Sequence, residues 1–244
     1  RTGSTRLPDK VILPFYNEQT ILDIIIENLK IECEHYPIIV ATSINKNDDL
    51  IEEIAKKKNV QIFRGDEYNV LKRFINCAEE FNIQNIIRIC ADNPFLIPTY
   101  VNQLINSSLY KKLDYISYKN IQNTPVIKTH IGLFAEYVRL DSLKKVNEFT
   151  NEALYQEHVT NFIYNNPDLF SIKLINLPEL VYSRNDLRFT CDTIDDFNML
   201  QKLYYHYIEI YKTKAIDLNK LLKLVDSNND YLSVMQKGIN SFKK

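Results

Sequence analysis

Residues 38–63 read IIVATSINKNDDLIEEIAKKKNVQIF, and this stretch decides the fold. Ile38–Ser43 is a short continuous apolar run closed by hydroxyls. That is the pattern of a strand covered on both faces, as in a parallel sheet. Asn47 is expected to cap a helix running to about Lys58, with Asp48 and Asp49 in its first turn and lysines in its last, the charge order that a helix dipole favours. VQIF, residues 60–63, is a second strand. Strand, helix, strand in this order is a parallel crossover unit.

The same alternation continues outward. Thr20 to His35 carries Ile21, Leu22, Ile24, Ile25, Ile26 and Leu29 and reads as a well-buried helix that Pro37 stops. After VQIF come the loop RGDEY, a helix over Asn69–Phe81, the strand NIIRIC (85–90) and the exit loop ADNPFL. Pro98 suits the first turn of a helix to Ser108. The first half is thus a doubly wound α/β unit with a parallel sheet. In the second half, residues 114–118, 131–138, LFSIKLIN and LRFT read as strands. Helices are expected at Asp141–Asn147, Glu152–Tyr164 and Thr193–Tyr211, with one or two more closing the chain. No internal repeat or linker divides residues 1–244, so one domain is expected.

A hydrophobic fraction of 45%, a charged fraction of 25% and a net charge of −1 are ordinary globular values. They point away from general nucleic-acid binding, and the apolar runs are too short to span a bilayer. The scattered Cys33, Cys77, Cys90 and Cys191 form no CxxC pair and read as reduced thiols of a cytoplasmic protein. Glycine occurs only four times, at positions 3, 65, 132 and 238, which asks each for a reason.

Ligands of doubly wound sheets sit at the carboxyl ends of the strands. ATS, RGDEY and ADNP fall at such ends. The opening stretch RTGSTRLPDK (1–10) adds Gly3 between small hydroxyl residues, with Arg1, Arg6 and Lys10 around one acid, Asp9. Such a loop can hold a polyphosphate, although it is neither a GxxxxGK[ST] nor a GxGxxG loop. Asp92 follows a buried strand, and Asp192 closes RFTCD just before a helix. Two carboxylates converging there suit Mg²⁺, which takes few carboxylates and completes its shell with water and phosphate. The plainer readings are a turn former for Asp92 and a helix cap for Asp192. No two aspartates stand two apart, as the D-x-D motif of metal-dependent glycosyltransferases requires. Cys90, Cys191, His130 and His158 lack zinc-ligand spacing.

RTGSTRLPDK, FRGDEYNVLKRF, RICADNPFL, EHVT and RFTCDTIDDF, in that order, resemble the SpsF-type cytidylyltransferases (spore coat polysaccharide biosynthesis protein F), relatives of the enzymes that make CMP-KDO and CMP-sialic acid. The resemblance covers nearly the whole chain. It implies the nucleotide-diphospho-sugar transferase fold, a mixed, mostly parallel, seven-stranded sheet with helices on both faces. It also implies transfer of CMP from CTP to an anionic sugar with release of pyrophosphate, Mg²⁺ as cofactor, and a homodimer. Arg1, Gly3, Ser4, Arg6 and Lys10 match the triphosphate loop. Ala41, Thr42 and Arg64 match the base-lining stretches, and Asp92 and Asp192 the metal aspartates. Glu136, Glu157 and His158 fall on the acceptor side, and Lys128 and His130, leading to Gly132, are placed there as well. His158 is also a candidate general base. A sugar-1-phosphate uridylyl- or thymidylyltransferase, or an inactive nucleotide-binding module, are the alternatives. Two departures stand out. Tyr16-Asn17-Glu18-Gln19 replaces a Gly-Lys-Pro-like turn. The family also carries an apolar strand directly before the opening loop, so five to eight apolar residues, a typical strand length, are expected ahead of Arg1.

Overall fold

The computed structural model describes residues 2–3, 6–109 and 112–241. Arg1 and Ser4 of the expected triphosphate loop lie outside them. The chain first makes a hairpin of β1 (Pro14–Tyr16) and β2 (Gln19–Thr20). Asn17 and Glu18, in the stretch that departs from the family pattern, take φ of 43° and 64°, left-handed values that match the twist of a two-residue hairpin. Helix α1 (Ile21–Glu32) starts at a reciprocal cap between Thr20 and Asp23 and buries all six of the isoleucines and leucines picked out above.

Strand β3 (Ile39–Ser43) pairs in parallel with β4 (Gln61–Gly65), residue 39 opposite 61 through 43 opposite 65, and α2 (Asp49–Lys57) is the crossover. The helix entry differs from expectation. Asn45, not Asn47, accepts the capping N–H, because a 3₁₀ turn over Lys46–Asp48 comes between strand and helix. Helix α3 (Val70–Glu80), β5 (Asn85–Arg88) and α4 (Pro98–Leu109) follow. Next come β6 (Tyr115–Lys119), β7 (Glu136–Arg139), α5 (Leu140–Phe149), α6 (Ala153–Glu157), α7 (Asn161–Asn165) and β8 (Ile172–Asn176). The chain closes with α8 (Glu179–Tyr182), α9 (Ile194–Tyr211), α10 (Leu218–Asp226) and α11 (Asn229–Ser241).

The second sheet has the order β5-β7-β6-β8. Strand β7 runs antiparallel to β5 and β6, whereas β6 and β8 are parallel. The architecture is the mixed Rossmann-like nucleotide-sugar transferase fold, but the described strands do not form the one seven-stranded, mostly parallel sheet expected: β3 and β4 pair in parallel by themselves, and β5 pairs with the antiparallel β7. Among the described residues β3 pairs only with β4, and β5 only with β7. A cavity of about 1020 Å³ lies between those two edges, lined by Val40 of β3, Ile87 of β5, Leu22 and Ile25 of α1, and Phe74 and Cys77 of α3.

Three expected elements are cut short. Residues 131–138 are a strand only from Glu136, because Gly132 has φ 64°. A Cβ there would stand 2.8 Å from the Phe189 carbonyl carbon and 2.9 Å from the Thr190 nitrogen. Gly132 therefore serves backbone-to-backbone packing, and LRFT is an irregular leg whose Phe189 N–H donates to the His130 carbonyl at 3.0 Å. The single helix expected over 152–164 is split into α6 and α7 at His158–Thr160.

Candidate active site

Two legs of chain, one leaving β5 and one entering α9, are stitched together by the Cys191 N–H, which donates to the Asp92 carbonyl at 2.9 Å. The stitch brings Asp92 and Asp192 to one place, although a hundred residues separate them in sequence. The opening loop closes over them. The Asp9 N–H donates to the Thr2 carbonyl at 3.0 Å, and Asp9 takes φ 59°. That turn directs Lys10 inward. Its ammonium lies 2.7 Å from Asp92 Oδ2, 2.7 Å from the Cys191 carbonyl and 3.6 Å from Asp192 Oδ1. Burial works against the charged ammonium, but Asp92 and Asp192 outweigh it and hold the Lys10 pKa above its ordinary value. Lys10 is therefore a fixed positive charge at neutral pH. Arg6, half exposed, reaches Asp192 Oδ1 at 3.0 Å from the solvent side. Burial pushes the neighbouring Cys191 thiol up to about 12, so it stands in this charged setting as a neutral spacer.

Asp192 is also held from below. Arg188, fully buried, donates from Nη2 to Asp192 Oδ2 at 3.0 Å and forks onto Asp196 at 2.7 Å to each oxygen. Asp196 accepts the backbone N–H groups of Asp192 and Thr193 at 3.0 and 2.9 Å. The motif RFTCDTIDDF holds both residues, but nothing in their spacing tells that Arg188 folds back onto the helix it precedes.

Asp48 was also missed. It is 1% exposed and accepts from Thr2 N–H (2.8 Å), Thr2 Oγ1 (2.6 Å), Thr42 Oγ1 (2.6 Å), Ser43 N–H (3.0 Å) and Ser43 Oγ (2.6 Å). This carboxylate ties the start of the opening loop to the carboxyl end of β3. Burial raises its pKa, but the bonds from Ser43, Thr2 and Thr42 more than reverse this and hold it well below the usual carboxylate range.

The nucleotide-side expectations divide. Gly3 is exposed, and Ala41 is half-buried along the cavity wall. Thr42 is 1% exposed and committed to Asp48. Arg64 is held by the Ser43 and Asn45 carbonyls and by Asp49 and Glu52, so in this structure it braces the β3 exit.

On the acceptor side the structure corrects two expectations. Glu136 is 2% exposed, and its oxygens accept from Arg88, from the Tyr115 hydroxyl and from Thr160 Oγ1 at 3.0 and 3.1 Å. Glu136 is thus committed to these buried donors, and Arg139 turns to Asp141. His130 Nδ1 meets Nη1 of Arg188. A guanidinium only donates, so Nδ1 is the acceptor and not a cationic contact. Glu157 and His158 are exposed at the end of α6, which packs on α3. Lys128 is exposed, with its ammonium 5.8 Å from the centre of the Tyr164 ring.

The donor set fits a hard divalent cation. Among the described residues no three His, Cys, Asp or Glu side chains form a metal cluster, but Mg²⁺ is ordinarily held by one or two carboxylates, water and substrate phosphate. Asp92 and Asp192 already share one positive centre, the Lys10 ammonium. Among the described residues no helix is long and apolar enough to cross a membrane.

The chain is 36% identical over 228 residues to the uncharacterised protein MJ1063 of Methanocaldococcus jannaschii, covering 93% of this chain and 88% of that one. It is 30% identical over 235 residues to the spore coat polysaccharide biosynthesis protein SpsF of Bacillus subtilis, covering 94% and 92%. The structure of a cytidylyltransferase from Leptospira borgpetersenii superposes with a TM-score of 0.83 at 26% identity over 95% of this chain and 93% of that one. A CMP:2-keto-3-deoxy-manno-octonic acid synthetase, solved with CTP, shares the fold with a TM-score of 0.63 at 13% identity over 84% and 95%. Residues 1–235 match the model of the family described as Cytidylyltransferase; the chain belongs to that family and is a nucleotidyltransferase.

Proposed function

We propose that this protein transfers CMP from CTP to an anionic sugar, a sugar acid or a sugar phosphate, releasing pyrophosphate, with Mg²⁺ held by Asp92 and Asp192, and that the product serves surface polysaccharide or glycan synthesis. The observation that carries the reading is the single Lys10 ammonium held between those two carboxylates, with Arg6 on the open side. A sugar oxygen attacks the α-phosphorus of CTP, and the bond to pyrophosphate breaks. Such a reaction asks the protein chiefly for positioning and charge neutralisation. Bound Mg²⁺ would neutralise phosphate oxygens and orient them. Arg6, half exposed, can turn from Asp192 to the β- and γ-phosphates, and Lys10 stays charged to meet the leaving group. The CTP in the octonic acid synthetase structure and the polysaccharide role in the name of SpsF support the choice of nucleotide and pathway.

With His130 and Glu136 committed elsewhere, the acceptor's charge falls to Lys128. The deciding experiment is a pyrophosphate-release screen of CTP, UTP, ATP, GTP and dTTP against acidic sugars, sugar phosphates and neutral sugars. Release with CTP and an anionic sugar is expected, and Lys128→Ala should then raise the acceptor KM and leave that for CTP unchanged. A neutral sugar as best acceptor, or a better rate with UTP or dTTP, would overturn the reading.

A further inference from the structure

Gly238 sits in neither a loop nor a turn. It lies inside α11, where alanine is the better helix former, so its presence asks for a packing reason. A Cβ at Gly238 would stand 2.8 Å from both Cδ and Nε of Arg188 and 3.2 Å from Asp196 Oδ1. The C-terminal helix thus lies directly on the buried fork between Arg188 and Asp196. That fork fixes Asp192 twice: Asp196 takes its backbone N–H, and Arg188 takes Oδ2. The other oxygen, Oδ1, is the one that faces Arg6 and Lys10.

We propose that Arg188 is a positioning residue for the reaction, holding Asp192 Oδ2 so that Oδ1 alone is presented to the cleft, and that Gly238 of the C-terminal helix sets where Arg188 stands. The proposal rests on the reading of Asp192 as a cation-binding carboxylate. Its physical basis is that an oriented carboxylate binds a metal better than a free one, and partners that orient ligands are commonly worth ten- to a hundredfold in metal affinity. A methyl group at residue 238 must displace the Arg188 side chain or the helix that carries the methyl, because both contacts are well inside van der Waals distance.

The test reads Mn²⁺ by electron paramagnetic resonance on the full chain with α,β-methylene-CTP bound, alongside turnover and melting temperature. Gly238→Ala should weaken Mn²⁺ binding about tenfold and lower turnover, with CTP affinity measured in EDTA unchanged. The same substitution in the Arg188→Ala background should add no further loss, since truncation at Cβ removes both atoms that the methyl meets. Asp196→Asn, which loosens the fork without adding an atom, should weaken Mn²⁺ binding in the same sense and serves as the reading if Gly238→Ala folds poorly. Wild-type Mn²⁺ affinity in Gly238→Ala, or in Asp196→Asn where that is the reading, overturns the proposal. So does an equal loss from Gly238→Ala in both backgrounds. If Asp192→Asn itself binds Mn²⁺ normally, the cation-binding reading of Asp192 fails first, and the two failures are thereby distinguished.

Discussion

Two regions at the heart of this molecule are built on opposite principles. In the cleft, the described charges answer one another: Lys10 meets Asp92 and Asp192, Arg6 meets Asp192, and Arg188 meets Asp192 and Asp196. In the slot between β3 and β5, the walls are mostly hydrocarbon and two strand edges face a cavity of about 1020 Å³. The difference teaches what each can accept. Ion pairs at a partly open cleft can be exchanged for a metal ion and phosphates at little net cost, because one set of charges replaces another. Backbone N–H and C=O groups facing an apolar cavity can be satisfied only by groups that hydrogen-bond in their own geometry while presenting carbon to the walls. An extended apolar segment does both.

The sharpest way to break the comparison is to remove the cleft's negative charge. Asp92→Asn and Asp192→Asn should each lower turnover by about 10²–10³-fold, the usual scale for losing one preorganised electrostatic group. The two should differ in stability. Among the described residues Asp92 is paired with Lys10, whereas Asp192 is joined to three cations, one fully buried. Thermal unfolding should therefore fall further for Asp192→Asn. Near-normal turnover of both variants at saturating Mg²⁺ would show that the cleft binds no catalytic metal through them.

The slot gives the next largest effect. Thr2 is bonded beside the carboxyl end of β3 through Asp48, and Lys10 reaches beyond the end of β5 to Asp92. A strand leading through the slot into Thr2 would thus run parallel to β3. Extending the chain by six apolar residues ahead of Arg1 should raise stability by a few kcal/mol. Each buried valine or isoleucine contributes roughly 1.5–3 kcal/mol, offset by about 1–2 kcal/mol of backbone ordering. The amides of Ala41 and Ile87, which point away from β4 and β7, should become slow in hydrogen exchange, and a Gly-Ser extension of equal length should do neither. If the apolar extension leaves those amides as fast as before, the slot is not a strand seat.

Arg6 refines the cleft side. Its contact with Asp192 is half exposed, so breaking it costs little stability. Arg6→Ala should nonetheless weaken CTP binding by about 2 kcal/mol, near thirtyfold, the worth of charge-assisted bonds to phosphate. CMP, lacking the outer phosphates, should bind almost as before by calorimetry. Equal losses for both nucleotides would move Arg6 away from the leaving group.

The two regions also differ in how far the sequence announces them. Period and punctuation were enough for β3, α2, β4, α3 and β5, because each is a local run with its own cap or stop. Asp92, Asp192, Arg6 and Lys10 were legible as a group because each sits in a short charged motif, although the leg before Asp192 is irregular and not the strand its motif suggests. What could not be read depends on long-range contact. Gly132 looks like a ligand approach until Phe189 is found against it. Glu136 looks available until Arg88, Tyr115 and Thr160 surround it. Arg188 and Gly238 meet across fifty residues, and no local pattern encodes that meeting. Asp48 reads as one more acid in a helix start, yet its donors come from two separate segments.

Asp48 stands where the two regions join, which makes it the finest probe of the comparison. Its carboxyl is held well below the usual range, because hydrogen bonds from Ser43, Thr2 and Thr42 outweigh the opposing effect of burial. A folded-state pKa below the unfolded value, near 3.9, contributes stability that is complete above that value and is lost as pH falls toward the folded pKa. At pH 3 the unfolded carboxyl is mostly protonated while the folded one is still ionised, so about 1 kcal/mol of the wild-type advantage should already be gone. Asp48→Asn lacks this titration. Urea unfolding at pH 7 and pH 3 should therefore show the gap between wild type and variant narrowing by about 1 kcal/mol in acid. The other carboxylates titrate alike in both proteins and cancel in the difference. A gap that stays constant would mean that Asp48 is not the ionised anchor of the opening loop, and that Thr2 is held there by something other than charge.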